Sequence, residues 1–246
     1  METITRKSLL YKSSLGFFCI NHVQGCWHGC RYPCYAYKMA QSHGRVRSYE
    51  EWCAPKLVIN AVELLTKELG CMKKKPDYIH LCLSTDPFMT GYPEVTDMSL
   101  KLIELTNTYG IPCSILTKGK LPGELGDEER FPVENIYGIS IISLNETFRN
   151  QWEPRSALYV ERINALKYLH NNARHTLAHI EPYPTPNILK QNLEDILEAV
   201  GFVDQIYFSG WNYNNIVHEF PDYRQFYRNQ SGLVLSFCQG HNIRYN

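Results

Sequence analysis

Cys26, Cys30 and Cys34 fall four residues apart within NHVQGCWHGCRYPCYAYKM, residues 21–39. On a helix that spacing would set three thiols on one face, a buried stripe of core cysteines. The residue before each cysteine opposes a helix, because Gly25, Gly29 and Pro33 all weaken or break one. The stretch reads instead as a loop curling around a common point, with thiolates converging on a metal. A closed structural zinc site takes four ligands, and no obvious CxxC partner lies nearby. Three cysteines suit an iron–sulfur cube with one iron left open, which is a reactive site as well as an electron carrier. A non-catalytic iron–sulfur or zinc site, completed by Cys19 or Cys53, is the alternative.

Hydrophobic periodicity indicates the elements that must hold this loop. Residues 15–20 read as a first strand feeding it, and YAYKMAQ after Cys34 as a helix start. Residues 52–70 carry apolar side chains at helical spacing, with Pro55 in the first turn and Gly70 closing it. Near-continuous apolar runs of strand length follow at 78–83, 113–117, 136–142, 176–180 and 205–208. Helices are predicted at 97–109, 158–170 and 188–200, then at 221–229, with a last strand at 233–237. Strand, loop and helix thus alternate about six times, which predicts an α/β chain with a parallel sheet and crossover helices. Either an open partial barrel or a doubly wound sheet accommodates that order. Residues 1–14 read as a polar leading arm, 15–215 as the core, and 216–246 as a helix and strand completing the same domain.

In parallel barrels functional residues collect where strands end. Ser84, Thr85, Asp86, Lys118, Ser143, Glu181 and Asn212 all fall there. Ser140 and Ser143 alternate poorly with their apolar strand, so one of the two is expected to face the barrel. A carboxylate directly after an apolar strand, such as Glu181, is costly unless paired or ligand-bound. Arg155 and Arg162 are its candidate structural partners.

The chain has 246 residues, with 25 Lys plus Arg against 25 Asp plus Glu. Zero formal charge gives no global pull toward nucleic acid or an anionic membrane. Nine cysteines without paired spacing do not make a secreted disulfide framework, so a cytoplasmic location is expected. The opening METITRKSLLYKSSLGFF lacks the apolar core of a signal peptide. No run approaches the roughly 20 apolar residues of a membrane span.

GCWHGCRYPCYA resembles the cluster loop of the radical S-adenosylmethionine (radical SAM) enzymes, most closely the spore photoproduct lyase-like branch, which typically reads GCxHGCxYCYA. Pro33 lengthens the usual CxxxCxxC to CxxxCxxxC, so Tyr32 stands one position further from the third cysteine. STDPF, ILTKG, SLNETF, EPRSALYVER and EPYPTPN also resemble that branch in order, across residues 15–215. The resemblance implies an open partial (β/α)6 barrel of parallel strands with outer helices. It implies a [4Fe–4S] cluster on Cys26, Cys30 and Cys34, with S-adenosylmethionine (SAM) beside it. A reduced cluster would then cleave SAM to methionine and a 5′-deoxyadenosyl radical that takes hydrogen from the substrate. A flavodoxin or ferredoxin would supply the electron.

On that likeness Ser84, Thr85 and Asp86 would receive the SAM amino group and Lys118 its carboxylate. Ser140 or Ser143 would meet the ribose, Asn212 the adenine, and Tyr32 and Glu181 would complete the pocket. Cys238 is a candidate hydrogen donor because thiol S–H bonds are weak, with a small buried core residue as its plainer role. Tyr183, Tyr207, Trp211 and Tyr213 are candidate relays or stacking surfaces. The branch suggests a DNA lesion as substrate, but neither charge nor an added domain suggests a grip on a duplex. The aromatic loops TDPFMTGYP and GWNYNN leave one further reading, a nucleic-acid-binding module without radical chemistry.

Overall fold

A computed structural model describes residues 1–212 and 214–245. The chain begins with β1 (Glu2–Ile4), β2 (Leu10–Lys12), β3 (Phe18–Ile20) and β4 (Val23–Gln24). Helices α1 (Tyr35–Ser42) and α2 (Tyr49–Trp52), strand β5 (Lys56–Val58) and helix α3 (Ala61–Gly70) follow. Next come β6 (Ile79–Leu81), α4 (Pro93–Thr108), β7 (Cys113–Thr117), β8 (Ile136–Ser140), α5 (Glu146–Trp152) and α6 (Tyr159–Asn171). After them stand β9 (His175–Tyr183), α7 (Leu193–Val200), β10 (Gln205–Gly210), α8 (Asn215–His218), α9 (Tyr223–His241) and β11 (Arg244–Tyr245).

Eight strands form one sheet in the order β11-β10-β9-β8-β7-β6-β3-β2. From β3 to β10 every neighbouring pair is parallel, while β2 joins β3 antiparallel at the edge. The two edge strands do not pair with each other, so the barrel is open. The α/β alternation read from the sequence therefore takes the open-barrel form, with helices packed against its strands. Ile79, Leu81, Ile115, Ile139, Ile180 and Ile206 are fully buried, as parallel strands covered on both faces require. Each such side chain contributes about 1.5–3 kcal/mol by leaving water.

Helix ends follow their capping residues. The Asn192 side chain accepts from the Glu194 amide, so α7 starts there and not at 188. Leu193, Ile196, Leu197 and Val200 then form its buried stripe. Pro93 opens α4 four residues before the predicted start.

Three sequence expectations need correction. Residues 52–70 are not one helix: Leu57 and Val58 pair with β1 and β4, so Pro55 precedes a strand. Pairing with two neighbours outweighs the helical spacing of the run. Within residues 1–14, β1 and β2 are strands of the two sheets. Residues 233–237 belong to α9: Val234 and Cys238, four apart, are its buried pair, while Leu235 is 42% exposed. The period there is that of a helix, and the last strand comes later, as β11. No described helix is long and apolar enough to cross a membrane.

Candidate active site

A cavity of about 500 Å³ opens at the carboxyl ends of the parallel strands, and Cys26, Cys30 and Cys34 all line it. The loop that carries them depends on two glycines in left-handed backbone. Gly25 has φ +86°, and a Cβ there would lie 2.5 Å from the Trp52 carbonyl oxygen. Gly29 has φ +62°, and a Cβ there would collide with the Arg155 guanidinium. Cys34 caps the amino end of α1.

Burial pushes all three thiols up, Cys30 to about 12, and repulsion from the other thiols of the trio adds to the effect at Cys26 and Cys30, as Cys53 does at Cys34. Lys118 opposes it at Cys30 and Cys34. The free trio is therefore protonated at neutral pH, and a metal must displace those protons to bind. Among the described residues no three His, Cys, Asp or Glu side chains converge on one ion. A cube needs no such convergence, because each thiolate binds its own iron. Cys19 is buried in β3 and Cys53 packs with Ala36, Ala40, Val46 and Trp52. Neither lines the cavity. Three thiols on one cavity wall thus fit an iron–sulfur cluster.

Asp86 is already committed within the protein. Its Oδ1 accepts from Thr117 Oγ1 at 2.6 Å and from the Phe88 amide at 2.9 Å. Its Oδ2 accepts from the Lys118 amide at 2.8 Å and lies 3.3 Å from His28 Nδ1. Burial raises its pKa, but the His28 charge and these hydrogen bonds outweigh that and hold it low. The carboxylate ties the loop after β6 to the end of β7 and to the cysteine loop, and it also lines the cavity. Thr85 does line the cavity, donating to the Gly25 carbonyl. Ser84 lies outside it, bonded to Asn21 at 2.9 Å. Ser143 is also outside, accepting from the Asn145 amide at 3.0 Å.

Lys118, Ser140, Glu181, Asn212 and Tyr32 do come together on the cavity wall. Lys118 Nζ donates to Ser140 Oγ at 2.6 Å and to Glu153 Oε1 at 2.7 Å. Glu153, fully buried, also accepts from Tyr32 OH at 2.7 Å and from Arg162 Nη2 at 2.8 Å. Burial alone would raise its pKa, but Lys118 and Arg162 hold it well below the usual carboxylate range. Arg162 therefore pairs with Glu153 and not with Glu181, while Arg155 lies over Trp27 at 3.9 Å. Glu181 sits 3.6 Å from His179 Nε2, and burial raises its pKa against the pull of Lys118, Ser209 and Asn212.

Cys238 is elsewhere: on α9 it lines a separate cavity with His175 and Gln205, at the amino ends of β9 and β10. The fourth cysteine of the site is Cys82, at the end of β6, with φ +60° and its Sγ 3.5 Å from His22 Nδ1. Sequence reasoning missed it because LCL reads as uninterrupted strand. Glu153 was equally hidden, since a buried carboxylate leaves no mark on apolar periodicity. Two of the three imidazoles on the wall, His80 and His179, are pushed down by burial to about 4 and about 3 and so stay neutral.

Of the aromatic residues in the two loops, Phe88 and Trp211 are buried and Tyr92 is half-buried. Tyr183 lies in the core and Tyr207 stacks on His179 at 4.4 Å. Tyr213 lies outside the described residues.

Parallel strands in sequence order and an open seam, with a three-cysteine loop at the carboxyl face, define an open partial barrel. Spore photoproduct lyase complexed with dinucleoside spore photoproduct superposes at a TM-score of 0.64, with 17% identity over 89% of this chain. A mutant of that lyase with bound AdoMet and the dinucleoside superposes equally, at 16% identity. This chain spans 65% of the length of those lyase chains. Streptococcus suis SuiB overlaps 69% of this chain at a TM-score of 0.47 and 15% identity. No protein-family model and no curated protein matches the sequence.

Proposed function

We propose that this chain is a radical SAM enzyme that holds a [4Fe–4S] cluster on Cys26, Cys30 and Cys34 and acts on a substrate still to be identified. One observation carries this reading: the trio shares a cavity with Lys118, Ser140 and Glu181 from three successive strand ends. When bound, the cluster and SAM supply reductive cleavage of the sulfonium and removal of hydrogen from the substrate.

The chain's own residues do the positioning. Lys118 reaches the wall with its ammonium bonded to Ser140 and Glu153, and Arg162 shares that carboxylate, so Lys118 is the cation suited to the SAM carboxylate. Glu181 and Asn212 offer acceptors for the amino or ribose groups. Tyr32 and Trp211 pack edge to face at 5.3 Å and exclude water from one side. Cys82 takes over from Cys238 as the thiol placed to return hydrogen. A flavodoxin or ferredoxin as electron donor and a cytoplasmic setting belong to the same reading.

Anaerobic reconstitution with iron and sulfide, then dithionite and SAM, tests it. The wild type should form 5′-deoxyadenosine, and the variant with all three cysteines changed to alanine should form none. Equal yields from both chains would remove the reading.

A further inference from the structure

The cysteine loop is one residue longer than the pattern it resembles, and one short segment grips it. The Arg31 amide donates to the Trp152 carbonyl at 2.8 Å, and Tyr32 OH donates to Glu153 Oε1 at 2.7 Å. The Arg155 amide reaches the His28 carbonyl at 3.3 Å. The Arg155 guanidinium lies over Trp27 and fills the space that a side chain at Gly29 would need. Four contacts from residues 152–155 thus span residues 27–32, between the first and third cysteines. The third cysteine is set separately, by the start of α1.

We propose that residues 152–155 are a clasp that sets the shape of the cysteine loop, with the Tyr32–Glu153 hydrogen bond as its pin. This rests on the cluster reading only for its purpose. The pin absorbs the extra residue: Tyr32 turns inward to Glu153, and Pro33 spans from it to the head of α1. Lys118 joins the same carboxylate and also donates to Ser140, so the loop and the wall beside it meet at one buried group. Glu153 and Tyr32 are positioning residues, acting through the loop.

Tyr32→Phe removes only the pin and keeps the ring against Trp211. Tyr137→Phe is the control, because it removes another buried hydroxyl, bonded to Asn135, far from the loop in sequence. In the metal-free chain, Tyr32→Phe should speed amide hydrogen exchange in residues 26–34 about tenfold or more, the scale of a lost hydrogen bond to a charged group. Tyr137→Phe should leave that segment unchanged. In the reconstituted chain, Tyr32→Phe should release iron to a chelator faster than the wild type, and Tyr137→Phe should not. Unchanged exchange in Tyr32→Phe would overturn the clasp. Faster exchange with unchanged iron release would overturn its role toward the cluster. A wild type that assembles no cluster, yet whose loop loosens in Tyr32→Phe, would keep the clasp and remove the enzyme reading.

Discussion

Glu153 and Asp86 show how two buried carboxylates can hold one site together through hydrogen bonds within the chain. Glu153 stays ionised because two cations and a phenol face it, and breaking such a buried set leaves charge uncompensated. Glu153→Gln should lower stability by about 3–5 kcal/mol at pH 7, measured by urea unfolding. The sign of its pH dependence follows from the depressed pKa. Its stabilisation is present above the ordinary value of 4.5 and is lost as pH falls toward the folded value. The difference from wild type should therefore hold steady above about pH 5 and shrink below it. A difference that stays constant down to pH 3 would show that Glu153 acts by packing and not by charge.

At the scale of elements, α9 separates what periodicity reveals from what it hides. LVLSF reads equally as strand or helix, because a five-residue apolar run suits both. Only its neighbours decide, and Val234 and Cys238 both turn inward one helical turn apart. The strands from β6 to β10 were legible because burial on both faces leaves continuous apolar runs. β5 was not, since three residues between two paired strands carry too short a signal. The cysteine trio was legible from glycine and proline placement, whereas Cys82 and Glu153 needed the third dimension. Placing Cys238 on α9 has a testable consequence. Cys238→Ala should cost about 1 kcal/mol in stability and leave 5′-deoxyadenosine formation at the wild-type level. A large loss of product with normal folding would return Cys238 to the site.

Across the whole molecule, the cavity is what joins the two ends of an open barrel. Its wall takes Cys26, Cys30 and Cys34 from beyond β3, Lys118 and Ser140 from the middle strands, and Asn212 from beyond β10. Tyr32 meets Trp211 across that span, although β3 and β10 stand five strands apart in the sheet. A ligand seated there ties strand ends that no backbone pairing connects, so binding should stabilise the entire fold. Saturation to 100 times its dissociation constant adds about 2.7 kcal/mol. For a chain of this size that is a rise of about 5–10 °C in melting temperature. SAM should produce this shift in the reconstituted wild type, measured anaerobically by calorimetry. After chelation of the iron, or in the triple cysteine-to-alanine chain, the shift should largely vanish, because the open iron is then missing from the SAM site. A full shift without iron would mean that Lys118, Glu181 and their neighbours hold SAM alone, and that the cluster contributes reactivity but not affinity.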